Sequence, residues 1–177
     1  MTISPSDVAP RPTLRDPVHL LAFGFGAGLL RPAPGTWGTL VAVPIAWGLG
    51  QLALPVRCAV VLAIAGSGVW LCGRAGRDLG VADHAGIVWD EIAGYLLAVM
   101  LFEWSWVSAV LGFMLFRLFD IAKPPPVGWF DRRVHGGLGV MLDDLAAGVL
   151  TALVLGMLAW AELGMTLDPA LGEWLTP

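Results

Sequence analysis

The sequence predicts an all-α fold, a polytopic helical membrane protein of four to five spans. Three observations predict it. Of 177 residues, 57% are hydrophobic and only 14% charged, and the mean hydropathy is +0.76. A soluble domain is typically about 45–50% apolar and about 25% charged, so these charges are too few to coat a soluble surface. The 23 glycines suit close helix packing in lipid, and the nine tryptophans suit anchoring at the membrane interface. Finally, the apolar residues fall into discrete segments separated by polar turns.

The segments run over 38–54, 58–73, 88–102, 106–122 and 145–163. Most fall short of the roughly 20 residues of a full helical span, so extension into polar flanks or local thinning of the bilayer is expected. The stretch 19–30 is too short and glycine-rich for a span. Residues 1–17, polar and Pro-rich, read as a flexible tail, 18–163 as one membrane domain, and 164–177 as a C-terminal tail. Cys58 and Cys72 have no metal-ligand or redox-pair spacing and read as small core residues.

Orientation follows from the basic residues. With five spans and a cytoplasmic N-terminus, Arg57 alone among the ten lysines and arginines falls outside, as the positive-inside rule requires. Glu103, Asp168 and Glu173 fall outside too. The net charge of −4 gives no bulk attraction to nucleic acid.

This topology gathers three polar clusters at the cytoplasmic ends of the bundle: RPAPGTWGTL at 31–40, DHAGIVWDE at 83–91 and FRLFDIAKPPPVGWFDRRVHGGLGVMLDD at 116–144. The basic residues there follow from orientation. Asp90, Glu91, Asp120, Asp131, Asp143 and Asp144 do not, because acids at span ends cost desolvation unless paired or bound to a cation. Carboxylates from several helix ends, with few histidines and no suitable cysteine, favour a hard cation such as Mg²⁺ over Zn²⁺. The candidate ligands are Asp90, Glu91, Asp120, Asp143 and Asp144. The competing role is helix capping, which suits acids in a first turn but not Asp120 at a C-terminal end.

Arg117, Asp120 and Lys123 share a helix face at i, i+3 and i+6, and the three prolines after Lys123 stop the helix. Lys123, Arg132 and Arg133 suit phosphate oxygens. Arg11, Arg15, Arg74 and Arg77 read instead as a basic patch meeting anionic head groups. Gly136 and Gly137 in HGGLG let backbone N–H groups approach an anion, and His135 could move a proton near neutral pH. Thr36 and Thr39 are either phosphate or metal partners or N-caps. Acids, cations and a glycine turn at a membrane face match metal-assisted phosphoryl transfer or hydrolysis. A Walker loop, a D-x-D-x-T motif, a cysteine-phosphatase loop and the aspartate motif of CDP-diacylglycerol-dependent transferases are all absent.

PGTWGTL, IVWDEIAG and above all the long third cluster closely resemble the phosphatidylglycerophosphatase A family, over residues of about 18 to 163. The resemblance implies a Mg²⁺-dependent phosphatase of the bacterial inner membrane that hydrolyses phosphatidylglycerophosphate to phosphatidylglycerol and phosphate. The active site is then expected at the cytoplasmic face. Mg²⁺ on some of the five acids would acidify a bound water, and Lys123, Arg132 and Arg133 would hold the phosphoryl oxygens. Asp131 or His135 would protonate the leaving oxygen, and Asp120 or Asp143 stands as an alternative nucleophile. The expected partners are the lipid substrate and the bilayer, with no nucleic acid and no obligatory protein partner. Two other classes fit the composition: a small ion or anion transporter, and a scaffold that binds anionic lipid through its basic loop. Against the transporter, the span centres carry almost no charge.

Overall fold

A computed structural model describes residues 11–81, 83–161 and 166–171, and the described residues form helices and no strand. The helices are α1 (Pro17–Ala22), α2 (Pro34–Gly50), α3 (Leu54–Leu79), α4 (Trp89–Val99), α5 (Trp106–Ala122), α6 (Val127–Arg133) and α7 (Gly136–Trp160), with a 3₁₀ stretch at Gly24–Leu29. Local chemistry sets several ends. Asp16 caps α1 by accepting from Val18 N at 2.8 Å. Ser105 and Ser108 close a reciprocal capping box on α5. Gly80, left-handed at φ 68°, ends α3 by donating to Arg77 O, while Val81 N reaches Gly76 O.

The bundle is built around α4. This helix packs against α2, α3, α5 and α7, and α7 in turn packs against α3, α5 and α6. Eight of its eleven residues are buried, Tyr95 and Ile92 completely. Small residues allow the close approach. A Cβ on Gly94 would lie 2.7 Å from Asp144 O and against the Phe116 ring, and one on Gly148 would meet Gly94 O. Gly137 meets the α3 backbone at Val69 and Gly73 in the same way.

Two helices, α3 and α7, are long and apolar enough to cross a membrane. The segment 88–102, expected as a span, is the 11-residue α4. At about 1.5 Å per residue it is some 16 Å long, about half the hydrocarbon thickness. It is apolar because it is the core, sheathed by its neighbours. Outward faces are apolar as well. Val110, Met114, Leu118 and Ile121 on α5 and Val149, Leu153, Met157 and Trp160 on α7 form exposed stripes at helical spacing. Contiguous apolar surface of this kind fits a lipid contact.

Antiparallel alternation puts the N-termini of α2, α4 and α7 and the C-termini of α3 and α5 at one end, with α6 beside them. At the other end Arg57 is buried and donates to the carbonyls of Leu49, Gly50, Leu52, Met100 and Phe102 and to Asp168 Oδ2 at 2.9 Å. Arg57 and Asp168 thus share an end, as their charges suggested. Glu173 lies outside the described residues.

Several sequence-based boundaries shift. The helix expected from residue 145 begins at Gly136, because packing on α3 at Gly73 favours helix where the glycine run suggested a loop. The loop after Lys123 contains α6. The described part of the C-terminal tail is tied down by Glu103 N to Thr166 O and Asp168 N to Leu101 O, both 3.0 Å. The N-terminal tail meets the domain by Thr13, whose N–H donates to His19 Nδ1. Cys72 is a buried core residue 3.9 Å from Met141 Sδ, as expected, and Cys58 is half-buried.

The α4–α7 contact yields a stability prediction. Gly94→Ala places a methyl group against Asp144 O and the Phe116 ring and should cost about 1–3 kcal/mol through overpacking. The expected outcome is a lower thermal unfolding midpoint in detergent. An unchanged midpoint would show that the two helices separate freely.

Candidate functional site

The site is assembled where the three sequence clusters meet. Lys123 is the C-cap of α5 and adopts φ 44°, ψ 52°. That left-handed conformation disfavours side chains larger than glycine, and the lysine is held there by its contacts. Its Nζ donates to Asp143 Oδ2 on α7 at 2.7 Å and to Asp131 Oδ1 on α6. Burial works against the ammonium charge, but the bonds from Asp131 and Asp143 outweigh it and hold the Lys123 pKa above its ordinary value.

Arg117 forms the second cationic centre. Its Nη1 is 2.6 Å from Asp120 Oδ2, one turn on, and 3.8 Å from Glu91 Oε1 on α4. Gly35, in the first turn of α2, lies on this pair: a Cβ there would overlap Glu91 Oε1 and come within 2.9 Å of Arg117 Nη1. This is what the glycine of PGTWGT does. Asp120 therefore pairs with Arg117 rather than with Lys123, although the i, i+3, i+6 spacing placed all three together. Arg117 is the residue the sequence reading left out of the site; its i, i+3 relation to Asp120 was the available signal.

The acids lie deeper. Asp90, Asp143 and Asp144 are buried, and Glu91 is nearly so. Asp144 is within electrostatic reach of Asp120, Glu91, Asp143 and Arg117. One oxygen on each of Asp90, Glu91, Asp143 and Asp144 is buried without a hydrogen-bond partner. Capping fails as an explanation for Asp143 and Asp144. They stand in the third turn of α7, beyond the orphan N–H groups of a helix start. Asp90 and Glu91 do occupy the first turn of α4, where the dipole favours them, yet no side chain caps that helix. Among the described residues no three carboxylate, histidine or cysteine side chains are drawn together into a ready-made metal cage.

The other expected residues are spread around this centre. Asp131, His135 and Gly136 line an open recess of about 390 Å³ with Asp83, Gly139 and Asp143. His135 is the N-cap of α7 but makes no capping bond with its side chain. Arg132 and Arg133 are exposed and do not line this recess; Arg133 stacks over Trp129 at 5.8 Å. Gly137 is occupied by packing on α3, so its lack of a side chain already has a structural reason. Thr36 sits beside Gly35 in the first turn of α2. Neither threonine caps that helix: Ala33 is its N-cap, and the Thr39 hydroxyl donates to Gly35 O at 2.8 Å.

Fold and site together define a helical bundle with an apolar outer surface that gathers two cations and a set of buried acids at one end. The chain belongs to the phosphatidylglycerophosphatase A family, which it matches over residues 20–159. It is 45% identical to phosphatidylglycerophosphatase A of Escherichia coli (strain K12) over 161 residues, covering 88% of this chain and 92% of that protein. It is 41% identical to phosphatidylglycerophosphatase A of Haemophilus influenzae over 149 residues, covering 80% of this chain and 88% of that protein. No solved structure gives a significant match.

The double contact of Lys123 generates a prediction. If geometry matters at Nζ, a planar guanidinium cannot replace the compact ammonium between Asp131 and Asp143. Lys123→Arg should fold and insert normally but lose about 10²-fold in kcat, comparable to one transition-state donor. Wild-type turnover in the well-folded variant would reduce Lys123 to a surface charge.

Proposed function

We propose that the chain hydrolyses the terminal phosphomonoester of phosphatidylglycerophosphate, with Mg²⁺ as cofactor, to give phosphatidylglycerol and inorganic phosphate. The observation that carries this reading is the pairing of Lys123 with Asp143, a buried carboxylate whose other oxygen is unpartnered. A phosphoryl group brought to Lys123 would meet its ammonium at the edge of the acid-lined recess, with Asp143 shared between the two.

The residues fit a hard cation. Five carboxylates, Glu91, Asp120, Asp131, Asp143 and Asp144, lie around the two cations Arg117 and Lys123, and Asp90 stands beside Glu91 and Asp144. Burying that excess of negative charge calls for a further positive one. The unpartnered oxygens of Asp90, Glu91, Asp143 and Asp144 are the available ligands, and a magnesium ion needs only one or two carboxylates besides water and substrate. When bound, it supplies charge neutralisation at the phosphate and a more acidic water. Asp120, engaged by Arg117, serves better to orient Arg117 and Glu91.

In the proposed reaction, the oxygen of a water attacks phosphorus and the bond from phosphorus to the glycerol oxygen breaks. Lys123 neutralises charge that develops on a phosphoryl oxygen. Asp131, exposed and lining the recess, takes a proton from the attacking water and passes it to the leaving glycerol oxygen, with His135 as the alternative carrier. Arg132 and Arg133 would need to swing from their present positions to contact the phosphate.

A transporter is disfavoured by the bundle interior. Between the site and Arg57 the packing is apolar, and the polar groups there are satisfied locally: Tyr95 donates to Ala109 O and Thr151 to Ala147 O. Among the described residues that leaves no chain of polar groups for an ion to follow.

The multi-pass topology, with the site end in the cytoplasm of the bacterial inner membrane, belongs to the same proposal. It is supported by the exposed apolar stripes and by the gathering of basic residues at one end.

Two measurements test the proposal. Purified protein in detergent micelles should release phosphate from short-chain phosphatidylglycerophosphate with Mg²⁺ and stop on addition of EDTA; absence of metal-dependent release would refute it. For topology, single cysteines at Ala53 and Ala85, both exposed and at opposite ends of α3, are introduced into a chain lacking Cys58 and Cys72. An impermeant maleimide should label Ala53→Cys in intact cells and Ala85→Cys only after permeabilisation. The reverse pattern would invert the orientation.

A further inference from the structure

A second recess, of about 510 Å³, adjoins the first and shares Gly136 with it. Its walls are the last turns of α3, with Gly73, Gly76 and Arg77, and the first residues of α7, Gly136 and Gly137. The two recesses differ in charge. The one beside Lys123 is lined by Asp83, Asp131 and Asp143, whereas the second holds no carboxylate and one cation.

Arg77 had read as part of a basic patch with Arg74, but the structure separates them. Arg74 is bound to Asp78 at 2.8 Å. Arg77 is exposed and has no hydrogen-bonded or ionic partner among the described residues. Its guanidinium lies along Gly73, where a Cβ would stand 3.5 Å from Nη1. Gly73 and Gly137 pack on one another's backbone, whereas Gly80 and Gly136, where a Cβ would meet nothing, leave the mouth of the space open. α7 begins here with no side-chain cap, so its first N–H groups are open to an anion. Two of the last four carbonyls of α3, Arg77 O and Gly76 O, are taken by Gly80 N and Val81 N, which lessens their repulsion of negative charge.

We infer that the Arg77 recess binds a phosphodiester anion, namely the internal phosphate of the lipid substrate, while the terminal phosphomonoester lies at Lys123. This rests on the proposed function for its substrate. The chemistry suits the division. A diester that must stay intact sits best against a cation and backbone N–H groups, away from the carboxylates that serve hydrolysis. A monoester needs those carboxylates. Two anionic groups joined by a short glycerol linker match two adjoining recesses of unlike charge. The same diester, present in the product phosphatidylglycerol, would make that product a ligand of the Arg77 recess.

The test uses the full chain in neutral detergent micelles, with dihexanoyl phosphatidylglycerol as probe. Its binding should weaken about ten-fold in Arg77→Gln, the scale of one charge-assisted hydrogen bond, and recover in part in Arg77→Lys. In turnover, Arg77→Gln should raise KM for phosphatidylglycerophosphate by a similar factor, while inhibition by inorganic phosphate stays at its wild-type level. Equal binding of the probe by wild type and Arg77→Gln would overturn the inference, as would no binding by wild type or a parallel loss of phosphate inhibition. An arginine that meets only bulk anionic lipid would give wild-type binding and KM under these conditions, which also overturns it. The binding measurement needs no catalysis, so a wild-type protein that releases no phosphate would refute the proposed function and leave the binding result to decide on Arg77.

Discussion

Carboxylates buried in an apolar bundle are expensive, and the site end of this protein is organised around that cost. Asp90, Asp143 and Asp144 have lost most of their contact with water, and removing a charge from water without a partner is among the largest penalties a fold can bear. Only part of that penalty is offset by Arg117 and Lys123. A bundle of close-packed apolar helices would normally exclude such groups. Here these acids are carried on the faces that α4 and α7 bury in the bundle, so they cannot turn outward to escape.

Glycine makes the enclosure possible. Gly94 and Gly148 bring α4 and α7 into backbone contact at the level of Asp144, and Gly35 brings α2 onto the Glu91–Arg117 pair. In each case the missing side chain is replaced by a polar or backbone atom from another helix. Packing of this kind gains dispersion contacts where burial of apolar area is not the driving force, as within a lipid phase. It also fixes the acids relative to one another, which a site acting on a small anion requires.

Much of this was readable in advance, but unevenly. Hydropathy located α2, α3, α5 and most of α7, because long apolar runs mean the same thing in any context. It misjudged α4, since a short helix buried on all sides and a membrane span have the same composition. Proline marked the end of α5 correctly at Lys123, because the constraint is covalent and local. The start of α7 was not readable: a glycine run has low helix propensity, and only the contact of Gly137 with α3 makes it helical. The charged residues were identified as a group, yet their pairing was not. Spacing on α5 put Asp120 on one face with both Arg117 and Lys123, whereas α6 and α7, beyond the prolines, supply the partners of Lys123, Asp131 and Asp143. Tertiary partners of this kind leave no periodic trace.

The remaining feature is Arg57, which fastens the ends of α2 and α4 and the chain near Asp168 through six hydrogen bonds. One side chain thereby answers orphan carbonyls at the C-terminal ends of two helices at once, at the pole opposite the acids. That pole of the bundle is closed by a single guanidinium, and its loss would leave five carbonyls and the Asp168 carboxylate without that donor.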